Sequence, residues 1–149
     1  MTLWHKEKSY LKFLYQKSSN AMREVSGLKN KVEKLQKEKN EILRSINLLS
    51  QQINFYQRTG QISYQTLLEN RRKIAVIIYQ VKMLHQQVAE LENQLLLLSE
   101  DIKKSNLVVK TLNKKSYKFE LMLKQKRLER SLMIELNNEN EIQELAIYG

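Results

Sequence analysis

The chain has 149 residues, no Pro, no Cys, three Gly and a formal net charge of +10. The lack of Cys excludes disulfides, thiol nucleophiles and cysteine metal sites, and the lack of Pro leaves every segment free to form helix. A globular chain of this length is usually one domain. Here, however, the apolar residues recur at helical spacing, which predicts long helices and no compact core.

The first third of the chain carries one run of seam residues that alternate three and four positions apart. This spacing predicts a helix over about residues 3–57 whose seam faces another helix. The predicted seam consists of Trp4, Glu7, Leu11, Leu14, Ser18, Ala21, Val25, Leu28, Val32, Leu35, Lys39, Ile42, Ile46, Leu49, Ile53 and Tyr56.

The run breaks at Arg58-Thr59-Gly60-Gln61. We predict a turn over about residues 58–62, because Gly60 can adopt a positive φ at little cost. Ser63 follows as a suitable N-cap for a second helix. Two helices joined by a short connection pack as antiparallel neighbours.

The second run predicts a helix over about residues 63–137. Pairing across the turn places Leu35 near Leu84, and it places Lys39 near Val81, where its long side chain can leave the seam. The second predicted seam consists of Leu67, Ile74, Ile77, Val81, Leu84, Val88, Leu91, Leu95, Leu98, Ile102, Ser105, Val109, Leu112, Ser116, Phe119 and Leu123.

The predicted fold is therefore all-α, a long two-helix antiparallel coiled-coil hairpin over residues 1–149, with the second helix extending past the N-terminus. We expect a frayed tail over about residues 138–149, because Asn137, Asn138 and Asn140 are poor helix formers. In a hairpin each helix covers the apolar seam of the other helix, so we expect the chain alone to be a monomer.

The positive charge is concentrated in two segments. Residues 1–39 hold ten Lys and Arg against four Glu, residues 103–130 hold ten against two, and residues 45–102 are balanced. The antiparallel fold brings the two basic segments together, which predicts an acidic partner. Nucleic acid is one such partner, but no helix-turn-helix, zinc or RRM signature is present, so we expect a protein.

No catalytic constellation is present in the sequence. His5 and His85 are far apart, and there is no phosphate-binding loop, nucleophile elbow or HExxH motif. We therefore expect no enzyme activity, no metal, no cofactor and no small-molecule substrate. The apolar stretches are far shorter than the roughly 20 residues that cross a bilayer, and no signal-peptide pattern opens the sequence, so we expect a cytoplasmic protein.

Apolar and aromatic residues cluster around the predicted turn. They exceed what two helices bury at a tip, so they either cap the hairpin core or form a binding surface. The cluster consists of Ile53, Phe55, Tyr56, Ile62, Tyr64 and Leu68.

Several local stretches, together with the two seams, give the chain a resemblance to a known family. These stretches are Ile62-Ser63-Tyr64-Gln65-Thr66-Leu67-Leu68, Arg71-Arg72-Lys73-Ile74, Lys114-Lys115-Ser116-Tyr117, Lys124-Gln125-Lys126-Arg127 and the acidic stretch 139–142. Over nearly its full length the chain resembles the central stalk proteins of type III secretion systems, the FliJ/YscO/InvI-like family. Its members are small, basic, cytoplasmic hairpins that look like the rotor subunit of rotary ATPases.

The resemblance implies a mechanical function in protein export and virulence. The stalk would bind no nucleotide itself and would couple ATP hydrolysis to opening of an export gate, at the periphery of a membrane-embedded apparatus. Its turn end would contact the cytoplasmic domain of the gate protein through Phe55, Tyr56 and Tyr64. Its open end would enter the pore of a hexameric secretion ATPase, and the contact residues there would be Lys118, Lys124, Lys126, Arg127 and Arg130.

Three other functions fit the same sequence. The first is a generic structural coiled-coil adaptor or parallel homodimer, although the Thr59-Gly60 break argues against one continuous rod. The second is a basic nucleic-acid accessory protein, whose binding would fall steeply with salt. The third is a secretion chaperone, because stalk-like proteins can also handle other export components. Secretion chaperones are then possible partners of the chain.

Overall fold

A computed structural model of the chain describes residues 2–57, 60 and 62–148. Part of the predicted turn, Arg58, Thr59 and Gln61, lies outside the described residues, as does the side chain of the predicted seam residue Trp4. Two α-helices make up the described chain, α1 (Thr2–Gln57) and α2 (Tyr64–Tyr148). Their bounds agree with the predicted start and end of the first helix and with the predicted start of the second.

The start of α2 is capped by Ser63, as predicted. The Thr66 N–H donates to Ser63 Oγ at 3.2 Å, and the Leu67 N–H donates to the Ser63 carbonyl oxygen at 3.0 Å. The prediction for Gly60 is wrong, because no described residue has a positive φ. Six residues separate the two helices, and a connection of this length can reverse direction without a left-handed residue.

The predicted seams are confirmed by burial. Every described seam position from Glu7 to Tyr56 and from Leu67 to Leu123 is buried or half-buried. Many seam side chains are only half-buried, because in a pair of helices each one is covered by the partner helix alone and its other side faces solvent. The positions that are most completely buried are Leu14, Ser18, Ala21, Val25, Ile46, Ile77, Val88, Ser116 and Leu123.

The chain divides into two compact units. The terminal unit comprises Met1–Glu24 and Ser105–Gly149, and the connection unit comprises Val25–Lys104. The terminal unit thus contains the first part of α1 and the last part of α2. The connection unit contains the rest of both helices and the residues between them.

Contacts within the terminal unit show that its two helical segments are antiparallel. Lys126 Nζ donates to Glu7 Oε1 at 2.8 Å, and Ser18 Oγ donates to Asn113 Oδ1 at 2.7 Å. As the chain advances along α1, its partners therefore move backwards along α2.

The connection unit has the same orientation. Lys39 Nζ lies 3.3 Å from Glu92 Oε1, and Lys73 Nζ lies 5.3 Å from the centre of the Tyr56 ring. Because Tyr56 is the next-to-last residue of α1, residues 64–72 of α2 extend past the end of α1. The all-α antiparallel two-helix hairpin predicted from the sequence is confirmed.

The predicted register is wrong. Lys39 does leave the seam as expected, but its partner is Glu92, 11 residues beyond the predicted neighbour Val81. Eleven residues make about three helical turns, so this shift returns the same face of α2 to α1. Apolar residues occupy nearly every layer in both registers, and the seam alone therefore does not distinguish them.

The predicted end of α2 near residue 137 is also wrong, because α2 continues to Tyr148. Asn residues cost a helix only about 0.7 kcal/mol each relative to Ala, and neither Pro nor Gly occurs between the predicted end and Gly149. Since Glu7 contacts Lys126, α2 runs well past the first turn of α1, as predicted. Residues 124–147, which follow the last buried residue Leu123, are all exposed and form the exposed segment of α2.

Candidate functional site

Two small polar residues are buried in the helix seam of the terminal unit. Ser18 and Ser116 are each only 5% exposed. The Ser18 hydroxyl is satisfied by Asn113, and the Ser116 hydroxyl donates to the carbonyl of Leu112 at 2.9 Å. Both buried hydroxyls are therefore paired, and the bond from Ser18 to Asn113 joins α1 to α2.

Aromatic residues support the same region. The Tyr10 ring meets Phe119 edge-on with 5.0 Å between centroids and lies 6.5 Å from the Phe13 ring. Lys17 Nζ lies 5.0 Å from the centre of the Phe13 ring. The Tyr10 and Phe119 rings thus pack on one another across the helix pair, and Phe13 extends this contact along α1.

The residues predicted to contact an ATPase all lie on α2 within the terminal unit, and all are exposed. Lys126 has a partner, because it forms the ion pair with Glu7 at the start of α1. At 3.6 residues per turn the five side chains point in different directions around the helix and share no single face. These residues are Lys118, Lys124, Lys126, Arg127 and Arg130.

A shallow basic groove, which was not predicted from the sequence, runs along α2 in the terminal unit. Lys110, Asn113, Lys114, Tyr117 and Lys118 line this groove. Only Lys118 among them was predicted as a contact residue. The signal in the sequence was the recurrence of Lys at intervals of four, which places three ammonium groups on one face of a helix.

The residues predicted to contact an export gate all belong to the connection unit but differ in exposure. Phe55 is 68% exposed and Tyr64 is 74% exposed, whereas Tyr56 is half-buried. Phe55 and Tyr56 meet edge-on with 5.5 Å between centroids, and Lys73 covers the Tyr56 ring. Tyr56 thus belongs mainly to the helix pair, while Phe55 and Tyr64 present their rings to solvent.

A second exposed apolar stripe near the connection was not predicted. Val76, Tyr79 and Met83 are all exposed on α2, and Val76 borders a groove shared with Tyr56 and Arg72. The three residues recur at the same three- and four-residue spacing as the seam. A search for a second heptad stripe on the outer face of the helix would have found them.

The described residues contain no group of three or more His, Cys, Asp or Glu side chains that could hold a metal ion. Within the same part of the chain, no helix has the length and apolarity needed to cross a bilayer. The expectation that the chain has no enzyme activity stays a prediction.

Comparison with known proteins gives a family match. The model of a family described as Salmonella surface presentation of antigen gene type M protein matches residues 5–146. No curated protein and no solved structure matches the chain. The family is associated with type III secretion, which agrees with the coarse part of the predicted resemblance, whereas membership of the FliJ/YscO/InvI-like stalk group stays a prediction. Because the match covers nearly the whole sequence, the chain belongs to this Salmonella surface presentation of antigen type M family and has a secretion-system role.

Proposed function

We propose that the chain is the central stalk of a type III protein secretion apparatus. In this role it couples ATP hydrolysis by a hexameric ATPase to the opening of an export gate and carries out no catalysis of its own. The exposed segment of α2 enters the pore of the ATPase. The residues around the connection contact the cytoplasmic domain of the gate protein, at the periphery of the membrane-embedded apparatus.

The observation that carries this proposal is the arrangement of charge on α2. A helix that docks on a flat surface needs its contact residues on one face, whereas a helix inside a ring is surrounded on all sides. Lys118, Lys124 and Arg130 are exposed, lie six positions apart and point about 120° away from one another around the helix axis. This arrangement suits an encircling acidic wall, which would also accelerate association with a basic helix.

The gate contact rests on the exposed aromatic rings of the connection unit. Phe55 and Tyr64 lie near the two helix ends that flank the connection, and both expose most of their surface. Large exposed aromatic side chains are enriched at protein interfaces and at their energetic hot spots. Tyr56 would contribute less to such a contact, because Phe55 and Lys73 already cover part of its ring.

Binding to the purified hexameric ATPase of the same apparatus tests the pore contact. The charge-reversed variant K126E/R127E/R130E should bind at least about tenfold more weakly at low salt, because reversal replaces attraction by repulsion. The difference should shrink as added salt screens the charges. Biolayer interferometry at low and high salt would measure both effects.

The matched control is K29E/K31E/K34E, which makes the same change in net charge at three exposed positions of α1 in the connection unit. It should bind nearly as well as the unaltered chain. Equal losses in both variants would show that net charge alone drives binding. Unchanged binding by K126E/R127E/R130E would overturn the pore contact.

A further inference from the structure

The outer face of α2 in the terminal unit carries a second heptad stripe. Its members alternate four and three positions apart from Leu107 to Ala146, and every one of them is exposed. The helical repeat places this stripe opposite the seam that packs on α1. The stripe consists of Leu107, Thr111, Lys114, Lys118, Leu121, Gln125, Leu128, Leu132, Glu135, Glu139, Ile142 and Ala146.

The order of residues along this outer stripe is self-complementary. Basic Lys114 and Lys118 lie near its start and acidic Glu135 and Glu139 near its end, and the residues between them are Leu121, Gln125, Leu128 and Leu132. In an antiparallel pair of identical stripes, Lys114 meets Glu139 of the second copy and Lys118 meets its Glu135. A parallel pair would place like charges opposite one another, which is unfavourable.

The same register matches the apolar residues. With Lys118 opposite Glu135, Leu121 lies opposite Leu132 and Leu107 lies opposite Ala146. Antiparallel coiled coils bury such layers by inserting side chains of one helix between those of the other. Apolar residues thus meet apolar residues at both ends of the stripe and where Leu121 faces Leu132, whereas Gln125 faces Leu128 and Thr111 faces Ile142.

Two repulsions between like charges within a single copy destabilise this part of α2. Lys114 and Lys118 are like charges four residues apart, and so are Glu135 and Glu139, which destabilises an isolated helix. Leu128 is 64% exposed and Ile142 is 66% exposed, so the stripe buries little apolar surface within one chain. A second copy would relieve both repulsions and cover the apolar side chains.

We propose that two copies of the chain associate through the outer stripe of α2 as an antiparallel homodimer. The shallow groove beside Lys114, Tyr117 and Lys118 receives the Glu135 and Glu139 side chains of the second copy. Charged pairs make the interface weak, so the fraction of dimer depends on protein concentration. This differs from the sequence-based expectation that the chain alone is a monomer. It also covers Lys118, so a dimer and a chain inside a closed pore exclude one another.

Sedimentation velocity of the full chain alone tests the dimer. The unaltered chain should change from mostly monomer to mostly dimer between about 1 and about 300 µM. The variant K114E/K118E and the variant E135K/E139K should each associate at least about tenfold more weakly, because each places like charges opposite one another. The combined variant K114E/K118E/E135K/E139K restores opposite charges and should recover the affinity of the unaltered chain.

Two controls keep the result specific. All substituted residues are exposed, and circular dichroism should show that each variant keeps its helix content. K29E/K31E, which reverses two exposed Lys of α1 in the connection unit, should associate like the unaltered chain.

Three results would overturn the proposal. These are an unaltered chain that stays monomeric throughout the concentration range, association that neither pair of substitutions weakens, and a combined variant that fails to recover. A monomeric chain would leave the outer stripe for a different protein. None of these results bears on ATPase binding, which is measured separately.

Discussion

Residues 105–123 and residues 124–147 belong to the same helix and the same unit, but they relate to their surroundings differently. In the first stretch the seam side chains pack on α1, and Leu123 at its end is only 6% exposed. In the second stretch every residue is exposed, including Leu128, Leu132 and Leu136. Leucines at regular spacing therefore predict a helix and its apolar face, but they do not reveal whether the same chain covers that face.

The largest expected effect comes from truncating one leucine in each stretch. Leu123→Ala should lower the free energy of unfolding by about 2–4 kcal/mol, because it removes a buried side chain and leaves a cavity between the helices. Leu128→Ala should change the free energy of unfolding by less than about 0.5 kcal/mol in the monomer, because its side chain is already in water.

Urea unfolding followed by circular dichroism measures both changes. Protein near 1 µM keeps the chain monomeric, so the dimer contact of Leu128 does not enter the result. Equal losses in the two variants would contradict the difference between the two stretches. A large loss in Leu128→Ala alone would mean that the exposed segment packs within its own chain.

The seams of both helices could be predicted from the sequence because a coiled-coil seam is a local property. Spacing alone determines which side chains share a face, and every described seam position is covered accordingly. The Ser63 cap could be predicted for the same reason, since it depends on neighbouring residues only.

The register could not be predicted from the same information. It depends on specific pairs such as Ser18 with Asn113, which lie 95 residues apart in the sequence. The roles of the candidate contact residues stay a prediction, although the seam had already placed Tyr56 among the residues that the helix pair covers. The outer stripe was missed because one stripe already accounted for the pattern, and only burial shows that α1 leaves the second stripe open.

A smaller effect is expected at the hydrogen bond between buried Ser18 and exposed Asn113. Asn113→Ala removes the acceptor of the Ser18 hydroxyl, and an unsatisfied buried hydroxyl costs about 1–3 kcal/mol. The double variant S18A/N113A should recover part of this loss, because it removes the donor together with the acceptor. A double-mutant cycle of unfolding free energies measures the coupling, and strictly additive losses would show that the hydrogen bond contributes nothing to stability.

The smallest effect is expected where the exposed segment begins. Glu7 and Lys126 form an ion pair at 2.8 Å, but the Lys126 side chain is 53% exposed, so solvent screens the pair. Glu7→Gln keeps the size of the side chain and should cost only about 0.2–1 kcal/mol. Because exposed ion pairs weaken as salt rises, the difference in unfolding free energy should approach zero near 1 M NaCl. A loss that persists at high salt would contradict the solvent-screened pair, because it would mean that the Glu7 carboxylate and Lys126 interact where added ions do not reach them.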